Sequence, residues 1–173
     1  MKNYNTLGFA SDVLSKSART YLIDFFEEGK RYIEKNYNLI RTWQVVTDND
    51  DPMLVEMTAK VQKAAETVMR RKLLPCKNGK IVDYVKGSWA IGHTDSEEQS
   101  HCSVITMIDL SQDLIGGEAY FAKDKESMVC HKMIPGPLNN GDSLMYGGYL
   151  FHGVDEVFSG RRLVLITWFL EDV

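Results

Sequence analysis

The chain has 173 residues, of which 44% are hydrophobic and 25% charged, and its formal net charge is −4 at pH 7. These values predict a single globular domain that spans residues 1–173 and has a buried core. The negative charge argues against a protein that binds nucleic acid through many phosphate contacts, and no apolar run reaches the roughly 18 residues of a membrane-spanning helix.

The three cysteines, Cys76, Cys102 and Cys130, are odd in number and widely spaced. Without a Cys-x-x-Cys pair they favour neither a disulfide framework nor a structural zinc site. The first residues, Met-Lys-Asn-Tyr-Asn, lack the apolar core of a signal peptide. We therefore expect a reduced, cytoplasmic setting without membrane association.

Helical periodicity dominates the first part of the chain. Residues 4–10 predict a short strand, and from about Ser17 to Lys35 apolar residues recur at the spacing of an amphipathic helix. Residues 41–46 have the β-branched and aromatic content of another short strand. The apolar positions of the predicted helix are Leu22, Phe25, Phe26, Tyr32 and Ile33.

A second helix is predicted after the acidic turn at residues 47–51. Asp51 suits the N-cap and Pro52 the first helical position. Apolar residues then mark one face as far as about Leu73, and Pro75 ends the helix. Residues 11–75 are therefore expected to form the helical support of the domain.

The remainder of the chain has the character of many short strands separated by turn residues. A run of strands after two helices predicts a mainly β protein with N-terminal helices, in the α+β class. The expected core, residues 80–170, is a small antiparallel sandwich or jelly roll with helices packed on one face. The predicted strands are 81–89, 102–110, 118–122, 128–133, 143–146 and 163–170.

Three residues suggest a metal site. His93 and Asp95 lie two apart, so their side chains project to the same side of an extended segment. With His152 from a distant strand they would form the two-histidine, one-carboxylate triad of non-haem ferrous oxygenases. Taken alone, the three residues fit ordinary polar positions near strand ends equally well.

The adjacent arginines Arg161 and Arg162 add a second feature. A 2-oxo acid that chelates iron has a far carboxylate, and arginine can pair with a carboxylate through two parallel hydrogen bonds. Alternation along the last strand places Arg162 on one face with Ile166 and Trp168, and an inward arginine without an anionic partner would be costly. Arg162 is therefore favoured, with Arg161 as the alternative.

In this order and spacing, a set of short motifs resembles the prolyl 4-hydroxylase-like family of Fe(II)/2-oxoglutarate dioxygenases over roughly residues 81–170. The resemblance implies a double-stranded β-helix, or jelly roll, flanked by the two helices. It also implies a reaction that couples oxidation of 2-oxoglutarate to hydroxylation of an unactivated C–H bond by O2. The motifs are Tyr84-x-x-Gly87, His93-x-Asp95, Gly116-Gly117-Glu118-x-x-Phe121, Asn140-Gly141-Asp142-Ser143-Leu144, His152-Gly153-Val154, and Gly160-Arg161-Arg162 with Trp168.

The resemblance also implies roles for individual residues. His93, Asp95 and His152 would bind Fe(II), and Arg162 would pair with the distal carboxylate of 2-oxoglutarate. Tyr84 would line the cosubstrate pocket, although it also suits a half-buried strand position.

The sequence departs from the family where many relatives place a second tyrosine on the strand after His-x-Asp. Thr106 is the nearby substitute for that cosubstrate-binding hydroxyl. Trp89 and Trp168 would border the substrate pocket, with plain packing as the alternative for both. The expected walls of the substrate mouth are residues 47–51, 76–80 and 96–100.

The resemblance favours a prolyl residue of a peptide or protein as substrate. A free amino acid or small metabolite on the same scaffold is the alternative, as is a cupin-type metal enzyme that is not an oxygenase, or a binding module. A nucleic-acid demethylase of this kind would be expected to carry further arginines and a basic groove. The oligomeric state is left open.

Overall fold

The computed structural model describes residues 7–29, 32–36, 39–46, 51–95, 101–122 and 138–172. For residues 32–36, 39–45, 78 and 122 only the backbone is described. The elements in these ranges are β1 (Leu7–Ala10), α1 (Lys16–Glu28), β2 (Tyr32–Asn36), β3 (Leu39–Val45), α2 (Pro52–Met69), β4 (Asn78–Val85), β5 (Ala90–His93), β6 (Cys102–Leu110), β7 (Ile115–Gly116), β8 (Ala119–Ala122), β9 (Ser143–Tyr146), β10 (Phe151–Val154), β11 (Val157–Ser159) and β12 (Arg161–Phe169).

Helix α1 is shorter than the periodicity predicts. The Ser15 hydroxyl accepts a hydrogen bond from the Ala18 N–H at 3.3 Å, which caps the first turn. At the other end Gly29 donates to the Phe25 carbonyl and stops the helix. The prediction of one helix as far as Lys35 is wrong, because residues 32–36 pair with β3 as a strand.

Helix α2 begins where the sequence predicts. Asp51 is the N-cap, with its carboxylate 2.8 Å from the Met53 N–H, and Pro52 is the first helical residue. The helix ends at Met69, before the predicted Leu73, because Arg70 adopts a left-handed conformation with φ 54°. Neither described helix combines the length and apolar character that crossing a membrane requires.

The strands form a large and a small antiparallel sheet. The large sheet has the order β1-β9-β6-β12-β4-β3-β2, and the small one has the order β5-β10-β8. A separate two-stranded pairing joins β7 to β11. The predicted class, mainly β with N-terminal helices, is confirmed, and the described strands do not close into a barrel.

Alternation in the large sheet separates two buried clusters. Leu163, Leu165 and Phe169 of β12 pack with the helices in a helix-facing core. Val164, between Leu163 and Leu165, belongs instead to an intersheet core shared with residues of β8 and β10, such as Phe121. Successive residues of a strand point to opposite faces, so β12 contributes to both clusters.

Aromatic side chains cover the small sheet on its outer face. A Cβ atom at Gly153 would overlap the ring of Tyr120, and one at Gly92 would overlap the ring of Phe151. Both glycines therefore let an aromatic ring lie directly on the backbone. Each precedes or follows a histidine of the candidate site, so this packing also fixes the strands that carry those histidines.

We expect Gly153→Ala to destabilise the protein by about 1–3 kcal/mol, since the added methyl group must displace the Tyr120 ring. Urea denaturation would measure the loss. Introducing the same change into a Tyr120→Ala background should cost less, because the overlapping ring is gone. Equal costs in both backgrounds would contradict this explanation.

A second prediction concerns the cap of α2. The hydroxyl of Tyr21 donates to the Asp51 carboxylate, and this hydrogen bond is the largest cause of a lowered pKa at Asp51. A lowered carboxyl pKa stabilises the fold above the unfolded value of about 4, and that contribution is lost as the pH falls through the lowered value.

Tyr21→Phe should therefore lower the urea midpoint at about pH 7, where Asp51 is ionised, and change it much less at about pH 2. An equal change of the midpoint at both pH values would show that the pair does not contribute through the ionised carboxylate.

Candidate metal centre

Strand pairing places His93 and His152 opposite each other. β10 runs antiparallel to β5, with His152 paired to His93 and Val154 paired to Ala90. The segment from His152 to Val154 therefore pairs with the segment from Ala90 to His93, which is one residue longer. The extra residue forms a β-bulge in β5. The bulge lets Ala90 lie in the intersheet core while His93 still meets His152, with their ring centroids 4.5 Å apart.

The donor atoms of His93, Asp95 and His152 converge. One ligand atom from each lies within 4.8 Å of the others. The two carboxylate oxygens of Asp95 are 3.8 Å from His93 Nε2 and 3.9 Å from His152 Nε2. The structure therefore brings the three predicted ligands into one cluster.

Each imidazole is oriented by its own backbone. His93 Nδ1 is 2.8 Å from the carbonyl of Ile91, and His152 Nδ1 is 2.8 Å from the carbonyl of Leu150. A carbonyl only accepts, so each Nδ1 donates, and the neutral form of each ring has its lone pair on Nε2, on the side of Asp95. Metal-binding histidines are commonly held in this way, and two imidazoles with one carboxylate suit Fe(II).

Asp95 is held at its backbone and at its side chain. Its N–H donates to the carbonyl of Gly148 at 2.8 Å, and the hydroxyl of Ser103 donates to its carboxylate. The side chain is 8% exposed. The sequence carries no motif that would have singled out Ser103, because its role depends on the approach of β6 to the loop after β5.

The two histidines have different surroundings. His152 is buried beside the ring of Tyr146, at 4.5 Å, and that of Phe121, at 6.4 Å. Burial lowers the pKa of His152, against the raising effect of Asp95, so the neutral ligand form is favoured. The side chain of His93 is 48% exposed, so the centre opens to solvent on that side.

Arg162 is buried in the space between the two sheets, with 3% of its surface exposed. Neither Nη1 nor Nη2 has a hydrogen-bond partner among the described residues, and the guanidinium lies 5.1 Å from the centroid of the Tyr84 ring. Burial is the largest cause of a lowered pKa at Arg162. Two buried guanidinium nitrogens without hydrogen-bond partners are costly, so the position suits an arginine that binds an anion.

Arg161 points to the opposite face and has partners. Its Nε and Nη2 donate to the carboxylate of Asp83 at 2.9 and 3.1 Å, and Nη2 also donates to Glu27 at 2.7 Å. Arg161 therefore joins β12 to β4 and α1. This arrangement favours Arg162 over Arg161 as the residue for an anionic ligand.

A cavity of about 660 Å³ lies beside Arg162. Its walls are mainly apolar, with Met107 and Leu144 from the intersheet face, and its charged groups are Arg162 and Glu118. Glu118 is exposed and makes no hydrogen bond to either Nη atom of Arg162. Arg162 thus borders a space large enough for a small organic anion.

The structure does not bring Thr106 to Arg162. Its hydroxyl lies 2.7 Å from that of Ser143, and its neighbours Val104 and Ile108 along the same face of β6 belong to the helix-facing core. Period-two alternation therefore places Thr106 on the face away from Arg162. The predicted cosubstrate role of Thr106 is corrected to that of a buried cross-strand hydrogen bond.

The two predicted tryptophans of the substrate pocket are half-buried. Trp89 lies in the turn between β4 and β5 and not within a strand, and Trp168 lies beneath the ammonium of Lys80 at 5.4 Å. In β6, Ser103 pairs with Trp168, so the Trp168 position is close to the residue that holds Asp95.

Most of the predicted walls of the mouth, residues 47–50 and 96–100, and the predicted strand 128–133 lie outside the described residues. Residues 76–80 lead into β4, and Asp51 caps α2.

No protein-family model and no curated protein matches the sequence. Solved structures do match. A prolyl-4-hydroxylase from Pseudomonas putida is 14% identical with a TM-score of 0.72, covering 98% of this chain and 94% of the other. A prolyl hydroxylase from Trichoplax adhaerens, in complex with a peptide of hypoxia inducible factor, is 12% identical with a TM-score of 0.69, covering 98% and 85%.

A third match is the epimerase SnoN in complex with Fe3+, alpha ketoglutarate and nogalamycin RO, at 12% identity and a TM-score of 0.71, covering 96% of this chain and 79% of the other. The chain therefore shares the fold of 2OG-Fe(II) oxygenases, and that fold serves more than one reaction.

We expect His152→Ala to abolish high-affinity binding of Fe(II), because two of three ligands cannot hold the ion in this geometry. Anaerobic titration with Fe(II) would measure the affinity of the purified protein. His101→Ala, which removes a histidine outside the cluster, is the matched control and should bind as the wild type does. Unchanged binding by the His152 variant would exclude this centre.

Proposed function

We propose that this chain is an Fe(II)- and 2-oxoglutarate-dependent dioxygenase that hydroxylates an unactivated C–H bond. The observations that carry the proposal are the cluster of His93, Asp95 and His152 and the buried Arg162, whose Nη1 and Nη2 have no hydrogen-bond partner among the described residues. Burying the Arg162 guanidinium costs free energy of desolvation, and a metal centre without an acidic cosubstrate would not require it.

Three residues of the candidate centre would bind the iron. His93 and His152 would hold Fe(II) through Nε2, and the Asp95 carboxylate would complete the set and offset part of the charge of the ion. When bound, iron and 2-oxoglutarate supply the oxidising chemistry, with one oxygen atom of O2 entering succinate as CO2 is released and the other entering the substrate. The protein contributes geometry and the exclusion of water.

Arg162 would fix the cosubstrate by its distal carboxylate. Its two terminal nitrogens lie in one plane and can meet both carboxylate oxygens. The ring of Tyr84 lies 5.1 Å from the guanidinium and packs against one face of it. A cosubstrate gripped at its far end reaches the metal in one orientation, which is the positioning that catalysis requires.

We propose that the substrate is a prolyl residue of a peptide or protein. We also propose that the chain is a single dioxygenase domain in which the helices support the sheets. The similarity to two prolyl hydroxylases, one of them bound to a peptide, favours this class. The exposed side of His93 also leaves the metal open to a large substrate. Release of succinate should therefore be stimulated most by prolyl peptides, in a screen that includes free amino acids and nucleosides.

Arg162→Gln tests the cosubstrate site. We expect the Kd of 2-oxoglutarate in the anaerobic Fe(II) protein, followed by its charge-transfer absorption, to rise about 10- to 100-fold, as for loss of hydrogen bonds worth roughly 1.5–3 kcal/mol. The affinity for Fe(II) should be unchanged.

Arg161→Gln is the matched control, because it removes the neighbouring guanidinium from the other face of β12. It should weaken the fold through loss of the bonds to Asp83 and Glu27 and leave the Kd of 2-oxoglutarate near the wild-type value. The proposed function is wrong if the wild-type protein with Fe(II) does not bind 2-oxoglutarate, or if both arginine variants bind it equally well.

A further inference from the structure

The cavity beside Arg162 lies away from the candidate metal centre. Its described walls contain none of the three candidate metal ligands. On β6 the wall residue Met107 lies four residues beyond Ser103, whose hydroxyl binds Asp95. A strand rises about 3.3 Å per residue, so Met107 is roughly 13 Å further along the sheet. The cavity therefore lies towards the other end of the two sheets.

The walls of this cavity are suited to an apolar ligand. Leu110, Leu114 and Leu138 line it, and each is partly buried against the intersheet core. The cavity volume of about 660 Å³ lies within the roughly 300–1,000 Å³ of sites that hold drug-sized ligands, so 2-oxoglutarate would fill only part of it. Because hydrocarbon lines the remaining space, burial of an apolar group there is favourable.

Apolar side chains continue from the cavity to the surface. Ile115 of β7 lines the cavity and is 62% exposed. Phe158 of β11 is 58% exposed, and a Cβ atom at Gly116 would lie 3.0 Å from its ring. Gly116 is itself a wall residue, so Phe158 extends the apolar surface beyond the wall. The rim of the cavity at β7 is therefore apolar and accessible to solvent.

Arg162 gives the same cavity a positive charge. A Cβ atom at Gly117 would lie 3.3 Å from the Cδ atom of Arg162, so the lack of a side chain at Gly117 leaves room for the arginine along the wall. The other charged wall residue, Glu118, is exposed and would repel a second carboxylate. The cavity thus combines one buried cation with apolar walls and an acidic residue at the surface.

We propose that this cavity binds a medium-chain fatty acid. Its carboxylate would pair with Nη1 and Nη2 of Arg162, and its chain would lie along the three leucines towards Ile115. These are the nitrogens that the proposed function assigns to the distal carboxylate of 2-oxoglutarate, so the acid would exclude the cosubstrate. Binding of the acid does not rest on the proposed function, whereas the competition does.

Titration calorimetry of the metal-free protein with butyrate, hexanoate and octanoate tests the apolar part of the site. We expect the affinity to rise about fourfold for each CH2 group, the equivalent of about 0.8 kcal/mol. Suberate has the length of octanoate and a carboxylate at both ends, so it is the matched control ligand. It should bind at least about tenfold more weakly, because its second carboxylate would meet apolar walls and Glu118. An affinity independent of chain length, or equal binding of suberate, would overturn the proposal.

Two variants test where octanoate binds. Arg162→Gln should raise its Kd about tenfold or more through loss of the charged partner, and Leu114→Gln should raise it about tenfold through the polar group in the wall. Leu114→Gln should leave the Kd of 2-oxoglutarate in the anaerobic Fe(II) protein unchanged. Val55→Gln, at a position of α2 that is 57% exposed, is the matched control for both ligands. Octanoate binding that is unchanged in the Arg162 and Leu114 variants would exclude this cavity.

Competition is measured in the anaerobic Fe(II) protein. Octanoate at ten times its own Kd should raise the apparent Kd of 2-oxoglutarate about tenfold. If the wild type binds octanoate and no 2-oxoglutarate, the proposed function fails and the fatty-acid site stands. If it binds 2-oxoglutarate and no octanoate, only the inference about the cavity is wrong. If both ligands bind without competition, the placement of the octanoate carboxylate on Arg162 is wrong.

Discussion

The antiparallel pairing of β5 with β10 is the interaction on which the candidate site depends. It places His93 opposite His152, and the bulge in β5 corrects the direction of the side chains so that Ala90 still packs in the core. Backbone carbonyls then hold both rings with Nε2 towards Asp95. Main-chain hydrogen bonds thus orient both imidazoles of the candidate centre, and the Ser103 hydroxyl orients the Asp95 carboxylate.

The two adjacent arginines show how one strand serves stability and binding at once. Arg161 points to the helices, where Asp83 and Glu27 satisfy its guanidinium. Arg162, one residue on, points between the sheets and keeps two buried nitrogens without partners. The fold tolerates the cost of Arg162 because the rest of β12 is tightly packed, and a bound anion would offset that cost.

Local sequence signals were reliable where they depended on nearest neighbours. Asp51 and Pro52 begin α2 as predicted, because capping needs only the next few residues. The prediction that α1 extends through Tyr32 and Ile33 was wrong, because two apolar residues fit a helix or a strand equally well. Pairing with β3 makes this segment a strand. The predicted cosubstrate role of Thr106 failed for a related reason. The face of the sheet on which a strand residue lies depends on the register of the whole sheet.

By itself the sequence determined the mainly β character of the second part of the chain and the opposite faces of Arg161 and Arg162. It also pointed to the three candidate donor groups that the structure brings together. All of these follow from residue chemistry and period-two alternation. Only the tertiary structure decided which other side chains meet the candidate site. The Ser103 hydroxyl reaches Asp95 and the Tyr146 ring reaches His152 through pairing between strands far apart in the chain, and neither residue lies in a motif. Such contacts arise from sheet register, which no local stretch of sequence specifies.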